Sequence, residues 1–257
     1  MIFFLCLIVA LMLFLWWWLQ PQRQPIVFLD AAATINILKQ VSAYTSSFTV
    51  EDIRRRGTIA KPTEWTLSEQ HSILDAYTKI GATEHYKVAK SPVGLDWNYP
   101  HTRDDVIFLP GTVDALTLHH EMIHVIQRRY PQRFRNLYAE WGFNPISSDV
   151  IPTHIIENVR ANPDLFGAIE RWWIWRGKWI PLAIWTTGNN IKIMLYDVQL
   201  CEMVSPDVTP YSDYFRGVHD AEHPNEIAAY MLSNIKNFDQ TPATLVLNQH
   251  LNHVGNV

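Results

Sequence analysis

Cysteine is scarce in this sequence, and positive charge is not in surplus. The 257 residues include two cysteines, Cys6 and Cys201, which excludes a disulfide framework and a cysteine-rich zinc module. Lysine and arginine total 21 against 25 aspartates and glutamates, so we expect no nucleic-acid partner. Charged residues make up 18% of the chain and hydrophobic residues 48%. The chain as a whole is therefore not disordered.

Charge is also absent from the start of the chain, where the first charged side chain is Arg23. Residues 1–19 are apolar and would span roughly 28 Å as a helix, close to the thickness of the bilayer core. The tryptophans at 16–18 fit the aromatic belt of a membrane boundary. A cleaved signal peptide would have a basic start and a small-residue cleavage site, and neither is present. We expect residues 1–19 to be a single-pass anchor in a lipid bilayer.

One domain is expected after the anchor. Residues 20–25 form a polar linker that Pro21 and Pro25 keep out of helix. No Gly/Ser linker or repeat interrupts residues 26–257, so these are predicted to form a single domain. Arg23 and Lys39 follow the anchor, and basic flanks favour the cytoplasmic side of the membrane.

Helices and strands are both predicted within this domain. A capping box begins at Thr66, and an apolar strand is predicted at 106–109. An aromatic hairpin within 171–185 is expected, followed by a strand at 191–198. The segments predicted to be helical are 49–56, 66–81, 113–130 and 222–234. Helices flanking a small sheet indicate an α+β fold.

The helix predicted at 113–130 carries the motif His120-Glu121-Met122-Ile123-His124. Composition alone would produce about 0.02 matches to H-E-x-x-H in a chain of this length. Residues four apart share a helix face, so His120 and His124 can bind one zinc ion. Glu121 is displaced around the helix, where it can take a proton from a zinc-activated water. We expect Zn²⁺ as the cofactor and Glu121 as the general base.

A catalytic zinc site needs a third protein ligand, and the sequence leaves several open. Glu226 is favoured because Pro224 begins a helix and places it in the first turn. Glu222 is the main rival, although Pro224 makes it a residue that precedes the helix. A third histidine, either His219 or His223, would give an all-histidine site.

The motif and the segment Asn225-Glu226-Ile227-Ala228-Ala229 together resemble the gluzincin branch of zinc metallopeptidases. The resemblance covers two short segments and their order, and it implies a zincin-like domain. It also implies that His120, His124 and Glu226 bind zinc and that Glu121 is the base. Gluzincins commonly have an aspartate four residues after the ligand glutamate, whereas this chain has Tyr230. The chain also resembles membrane-anchored zinc peptidases of large DNA viruses, which implies a host or viral membrane.

Stabilisation of a developing negative charge requires a hydrogen-bond donor in the site. Tyr230, which shares a helix face with Glu226, and His219 are the predicted donors. Other candidates are Tyr214, His223 and His101. The tryptophans between 172 and 185 are expected in the core rather than in a substrate cleft. The segment Asn162-Pro163-Asp164 is predicted to be a turn without a chemical role.

These observations favour a membrane-anchored zinc metallopeptidase that acts on a peptide or protein substrate. An alternative is a structural protein of a membrane or virion that retains a zincin fold without catalysis. Such a protein would not need Glu121, which is not a ligand. A hydrolase acting on a non-peptide substrate is also compatible with the motif.

Overall fold

The structure is a computed structural model that describes residues 25–40, 48–165, 170–188, 190–219, 221–235 and 240–254. The predicted anchor at 1–19 and nearly all of the linker at 20–25 lie outside these residues. Within the described part of the chain, none of the helices combines the length and the apolar character needed to cross a bilayer.

The first sheet has four strands. Its strands are β1 (Ile26–Leu29), β2 (Tyr86–Lys90), β3 (His101–Arg103) and β4 (Val106–Leu109). They lie in the order β1-β2-β4-β3, with β3 antiparallel to its neighbour and the other pairs parallel. The predicted strand at 106–109 is confirmed. It is an inner strand whose four residues are all buried, which explains its unbroken apolar sequence.

The second sheet has five antiparallel strands in sequence order. They are β5 (Phe143–Pro145), β6 (Trp173–Trp175), β7 (Trp179–Trp185), β8 (Ile191–Asp197) and β9 (Glu202–Val204). The aromatic hairpin is confirmed as β6 and β7, joined through Arg176 and Gly177, which both have positive φ. The expectation of one small sheet was wrong, because the described residues form two.

Helices make up most of the remaining regular structure. They are α1 (Ala31–Gln40), α2 (Val50–Arg55), α3 (Leu67–Ile80), α4 (Ala115–Arg129), α5 (Pro131–Glu140), α6 (Thr153–Ile156), α7 (Pro210–Tyr214), α8 (Pro224–Ser233) and α9 (Pro242–Val254). The capping box is confirmed, since the Thr66 side chain accepts a hydrogen bond from the Glu69 amide. Short 3-10 segments occur at Leu95–Asn98, Ser148–Val150, Pro163–Leu165 and Pro206–Val208. The α+β class is confirmed.

Helix α4 lies between two hydrophobic cores. Leu118, Met122 and Val125 pack with residues of the first sheet and α3. Ile123 packs instead with residues of α5, α8 and the second sheet. Pro131 ends α4 as expected, but it also begins α5, which the sequence analysis did not predict. With apolar contacts on both sides, α4 is fixed in position relative to both sheets.

The aromatic residues of the second sheet form a core rather than a cleft. Trp141 and Trp175 are fully buried. The Trp175 indole donates to the Trp141 carbonyl over 2.8 Å, and the Trp141 indole donates to the Ala243 carbonyl over 3.0 Å. Both indole N–H groups therefore have partners despite burial, as buried polar groups require. Of the tryptophans between 172 and 185, Trp172, Trp173, Trp175 and Trp185 are buried and Trp179 is partly buried, so the prediction that they are core residues is confirmed.

Candidate metal centre

Helix α4 brings the two histidines of the motif together. It begins after Asp114, whose side chain accepts a hydrogen bond from the Thr117 amide. No glycine or proline interrupts it, so the spacing of four residues places both imidazoles on one face. The Nε2 atoms of His120 and His124 lie 3.0 Å apart. His124 is fully buried, whereas His120 is partly exposed.

Helix α8 brings the carboxylate of Glu226 to this histidine pair. His223 caps the helix, Pro224 occupies its first turn, and Glu226 follows within the same turn. Glu226 Oε2 lies 3.2 Å from Nε2 of His120 and 3.4 Å from Nε2 of His124. Among the residues that the structure describes, these three form the only group of at least three potential metal ligands.

The triangle of ligand atoms fits a zinc ion. Ligand atoms about 2.0–2.1 Å from a tetrahedral zinc are separated by about 3.3–3.4 Å. The observed separations of 3.0, 3.2 and 3.4 Å are close to this value. Two imidazole nitrogens and one carboxylate oxygen are a donor set typical of zinc, whereas magnesium and calcium prefer oxygen ligands.

Charges at the triangle favour a bound cation. Burial acts to lower the pKa of His124, but the Glu226 and Asp164 carboxylates outweigh it and raise this pKa to about 10. Burial disfavours a charged Glu226, yet the positive charge of His124 and hydrogen bonds from both histidines hold its pKa well below the ordinary value. The buried carboxylate is thus stabilised only with a positive charge beside it, which a proton or a metal ion can supply.

The Glu121 carboxyl group lies next to this triangle and is not part of it. Its Oε2 atom is buried and has no hydrogen-bond partner among the described residues. Burial, followed by the charge of Asp164, raises the pKa of Glu121 well above its ordinary value. An unpaired carboxyl oxygen in a buried position is costly unless a ligand or water uses it.

Gln127 contacts the ring nitrogen of His124 that is not part of the triangle. Its side-chain Oε1 lies 2.8 Å from Nδ1 of His124, and its Nε2 donates to the backbone carbonyl of Asn225 over 2.8 Å. The same amide therefore contacts His124 on α4 and the residue before Glu226 on α8. No role for Gln127 was predicted from the sequence.

Asn162 links the two acidic candidates for the third ligand. Its Nδ2 donates to Glu222 Oε1 over 2.6 Å and to Glu226 Oε1 over 3.0 Å. The structure thus brings Glu226 to the histidines and places Glu222 behind it, before the start of α8. Ala161, which precedes Asn162, is fixed in position because its amide donates to the buried carboxylate of Asp52 over 3.2 Å.

Asp164 lies close enough to Glu121 for its charge to raise the pKa of Glu121. Its Oδ1 accepts hydrogen bonds from the Thr102 amide over 2.6 Å and from the Thr102 hydroxyl over 2.7 Å. Arg128 donates to the backbone carbonyls of both Asp164 and Thr102. The turn at 162–164 was predicted to have no chemical role. No local pattern shows that it contacts residues 36 to 64 positions away along the chain.

The predicted oxyanion donors separate into two groups. Tyr230 and His219 line the cavity that His120 and Glu226 also line, and the ring centroids of Tyr230 and His219 are 5.6 Å apart. The other three lie elsewhere. His101 is buried against Phe108, Tyr214 packs on Trp175, and His223 caps α8.

The cavity around the triangle has a volume of about 1110 Å³. It is lined by residues of α4 and α8, by the start of β8 and by the segment after β9. This volume exceeds the roughly 300–1,000 Å³ that is common for small-molecule sites.

No protein-family model, no curated protein and no solved structure matches this chain. The function is therefore inferred from the geometry of the chain's own residues.

Proposed function

We propose that this chain is a zinc-dependent peptidase with a gluzincin-like site. The observation that carries the proposal is the convergence of His120, His124 and Glu226 beside the unpaired, buried carboxyl group of Glu121. Three protein ligands with an adjacent open cavity are the arrangement of a catalytic zinc site, whereas structural sites have four protein ligands.

A zinc ion held by these three residues would act as a Lewis acid on a peptide carbonyl and would lower the pKa of an attacking water. The Oε2 atom of Glu121 accepts a proton from this water as the water oxygen bonds to the carbonyl carbon. Glu121 then donates the proton to the peptide nitrogen as the C–N bond breaks. This leaves a carboxylic acid and an amine, and transfer of the acid's proton to the amine gives a carboxylate and an ammonium group. A raised pKa makes the Glu121 carboxylate a stronger base than an ordinary carboxylate, which favours its taking the proton from water.

In this proposal, Tyr230 and His219 donate hydrogen bonds to the carbonyl oxygen of the peptide bond that is cleaved. Both line the cavity next to the metal ligands, and the ring centroids of Tyr230 and His120 are 6.5 Å apart. A phenol or imidazole donor aimed at that oxygen stabilises the negative charge that develops during attack.

We also propose that residues 1–19 anchor the domain to a host or viral membrane, with the domain on the cytoplasmic side. The support is the length and apolar character of this segment in the sequence. Alkaline extraction of membranes that contain the tagged full chain tests this proposal. An anchored chain stays in the membrane pellet, whereas a peripheral one is released.

Metal analysis and cleavage of a randomised decapeptide mixture test the proposed activity. The purified full chain should contain about one zinc ion, lost in a variant with both His120→Ala and His124→Ala. Glu121→Gln should retain zinc and lose cleavage by about 100-fold or more. Glu157→Gln, at an exposed position away from the cavity, is the matched control and should behave as wild type.

Two results would contradict the proposal. Cleavage by Glu121→Gln at the wild-type rate would remove Glu121 as the base. A wild-type protein that holds zinc and cleaves no peptide would favour the structural role or a non-peptide substrate.

A further inference from the structure

One edge of strand β8 is only half covered. On one side, all seven residues of β8 pair with β7. On the other side, β9 pairs only with Leu195, Tyr196 and Asp197. Residues 191–194 therefore have no neighbouring strand on that side within the described part of the chain. The 3-10 segment Pro206–Val208, which follows β9, contacts β8 without pairing to it as a strand.

The hydrogen-bond pattern shows which backbone groups lie on the open side. The Thr186 amide donates to the Asn190 carbonyl, and the Val198 amide donates to the Lys178 carbonyl. Because antiparallel strands alternate, even-numbered residues of β8 bond to β7 and odd-numbered residues direct N–H and C=O away from it. Leu195 meets β9 in this way, since it pairs with Val204. The corresponding groups of Ile191 and Ile193 have no partner among the described residues.

This open edge and the metal ligands belong to the same cavity. Ile191, Lys192 and Ile193 line it together with His120 and Glu226. The edge of a sheet presents a regular row of donors and acceptors, which pairs with an extended peptide. A cavity of about 1110 Å³ has room for more than a small molecule.

The nearest alternative edge is closed by the protein itself. Strand β3 lies at the margin of the first sheet and contacts α4. However, its central residue Thr102 donates its amide to Asp164 and accepts a hydrogen bond at its carbonyl from Arg128. A peptide cannot pair there without displacing Asp164, which is buried, and Arg128, which is half-buried.

We propose that an extended peptide binds as an added strand on β8, with its backbone paired to Ile191 and Ile193. This inference rests on the proposed function and specifies how that substrate binds. Two residues spaced two apart offer up to four backbone hydrogen bonds. Recognition through these bonds does not depend on side chains, so the site accepts varied sequences but requires an extended, locally unfolded segment.

Hydrogen exchange of the full-length Glu121→Gln protein in detergent, loaded with zinc, tests the proposal without turnover. The probe is the randomised decapeptide mixture, compared with a matched mixture that is N-methylated at alternate residues. The first mixture should slow exchange of the segment 190–194 by about fivefold or more, since its free amides become hydrogen bonded. The N-methylated mixture should not slow it, and the Thr102 amide should remain unchanged in both.

A substitution provides a second measurement. Ile193→Pro removes the outward N–H without removing a bond to β7, and should lower kcat/KM for the decapeptide mixture by about tenfold while zinc is retained. Glu157→Gln, at an exposed position outside the cavity, is the control and should leave kcat/KM unchanged. Cleavage without protection of 190–194 overturns strand addition and leaves the peptidase proposal intact. Absence of both cleavage and protection overturns both.

Discussion

The side chain of Gln127 sets the tautomer of His124. Because Gln127 Nε2 donates to the Asn225 carbonyl, its Oε1 must be the atom that faces Nδ1 of His124 at 2.8 Å. Oxygen can only accept, so Nδ1 carries a proton and donates it. The Nε2 atom is thereby left to bind a metal at the triangle. Partners of this kind orient a ligand and raise its basicity.

Replacing Gln127 by leucine should therefore weaken zinc binding. The leucine is close in size but offers neither the acceptor for His124 nor the donor for Asn225. We expect about a 10- to 100-fold loss of zinc affinity, as for other groups that orient metal ligands. Competition with a chromophoric chelator measures this affinity directly.

Two further variants separate the roles of Gln127. Gln127→Glu keeps the acceptor for His124 and loses the donor to Asn225, so its affinity should lie between those of wild type and Gln127→Leu. Gln132→Leu, on the exposed face of α5, is the control. Equal zinc affinity in wild type and Gln127→Leu would show that the hydrogen bond does not support the site.

The sequence predicts the histidine pair and the base because their arrangement is local. A helix spacing of four residues is enough to place His120 and His124 together. The support from Asn162 and Asp52 is not local, since Asn162 is 64 positions from Glu226 and Asp52 is 109 from Ala161. A turn sequence such as Asn-Pro-Asp shows a change of direction but not what it will contact.

The two glutamates near α8 should behave differently towards zinc. Glu226→Gln removes the negative charge from the proposed zinc site and should abolish tight zinc binding. Glu222→Gln can still accept from Asn162 through its carbonyl oxygen, and should lower zinc affinity by about tenfold or less. Measurement of both variants with the same chelator checks this. Zinc retained by Glu226→Gln and lost by Glu222→Gln would identify Glu222 as the third ligand.

Small residues on α8 allow it to pack closely on α4. Ala228 and Ala229 have no exposed surface. Ala228→Leu would add three carbon atoms to a filled core, and should destabilise the protein by about 1–3 kcal/mol. Chemical denaturation of the zinc-free protein measures this change. Ala139→Leu on the exposed side of α5 should be nearly neutral, and an equal loss in both variants would argue against close packing at Ala228.

The fold was predicted least well where pairing depends on distant segments. The strand at 106–109 and the aromatic hairpin are evident from short apolar patterns. The parallel pairing of β1 with β2 joins residues 60 positions apart, and the short strand β5 pairs with β6 across an intervening segment of about 30 residues. Neither partner has a pattern long enough to indicate its neighbour, so one sheet was expected where two are present.

His223 should make the folded protein sensitive to acid. It is buried at the start of α8, where its Nδ1 accepts a hydrogen bond from the Asn225 amide over 3.1 Å. Burial lowers the pKa of His223 to about 4, whereas the unfolded chain has a value near 6.5. Between these values the unfolded state binds a proton that the folded state does not. Stability therefore falls as the pH decreases from about 6.5 to about 4.

This single group should account for about 3 kcal/mol of lost stability over that interval. Denaturation of the zinc-free full chain at several pH values, in the presence of a chelator, measures the loss without a contribution from metal release. His223→Asn is the matched variant, because asparagine can also cap the helix through its side-chain oxygen but does not titrate. It should be less stable at pH 7, where the imidazole contacts are lost, and its stability should depend less on pH. Parallel pH profiles for the two proteins would show that His223 takes up its proton in the folded state as readily as in the unfolded chain.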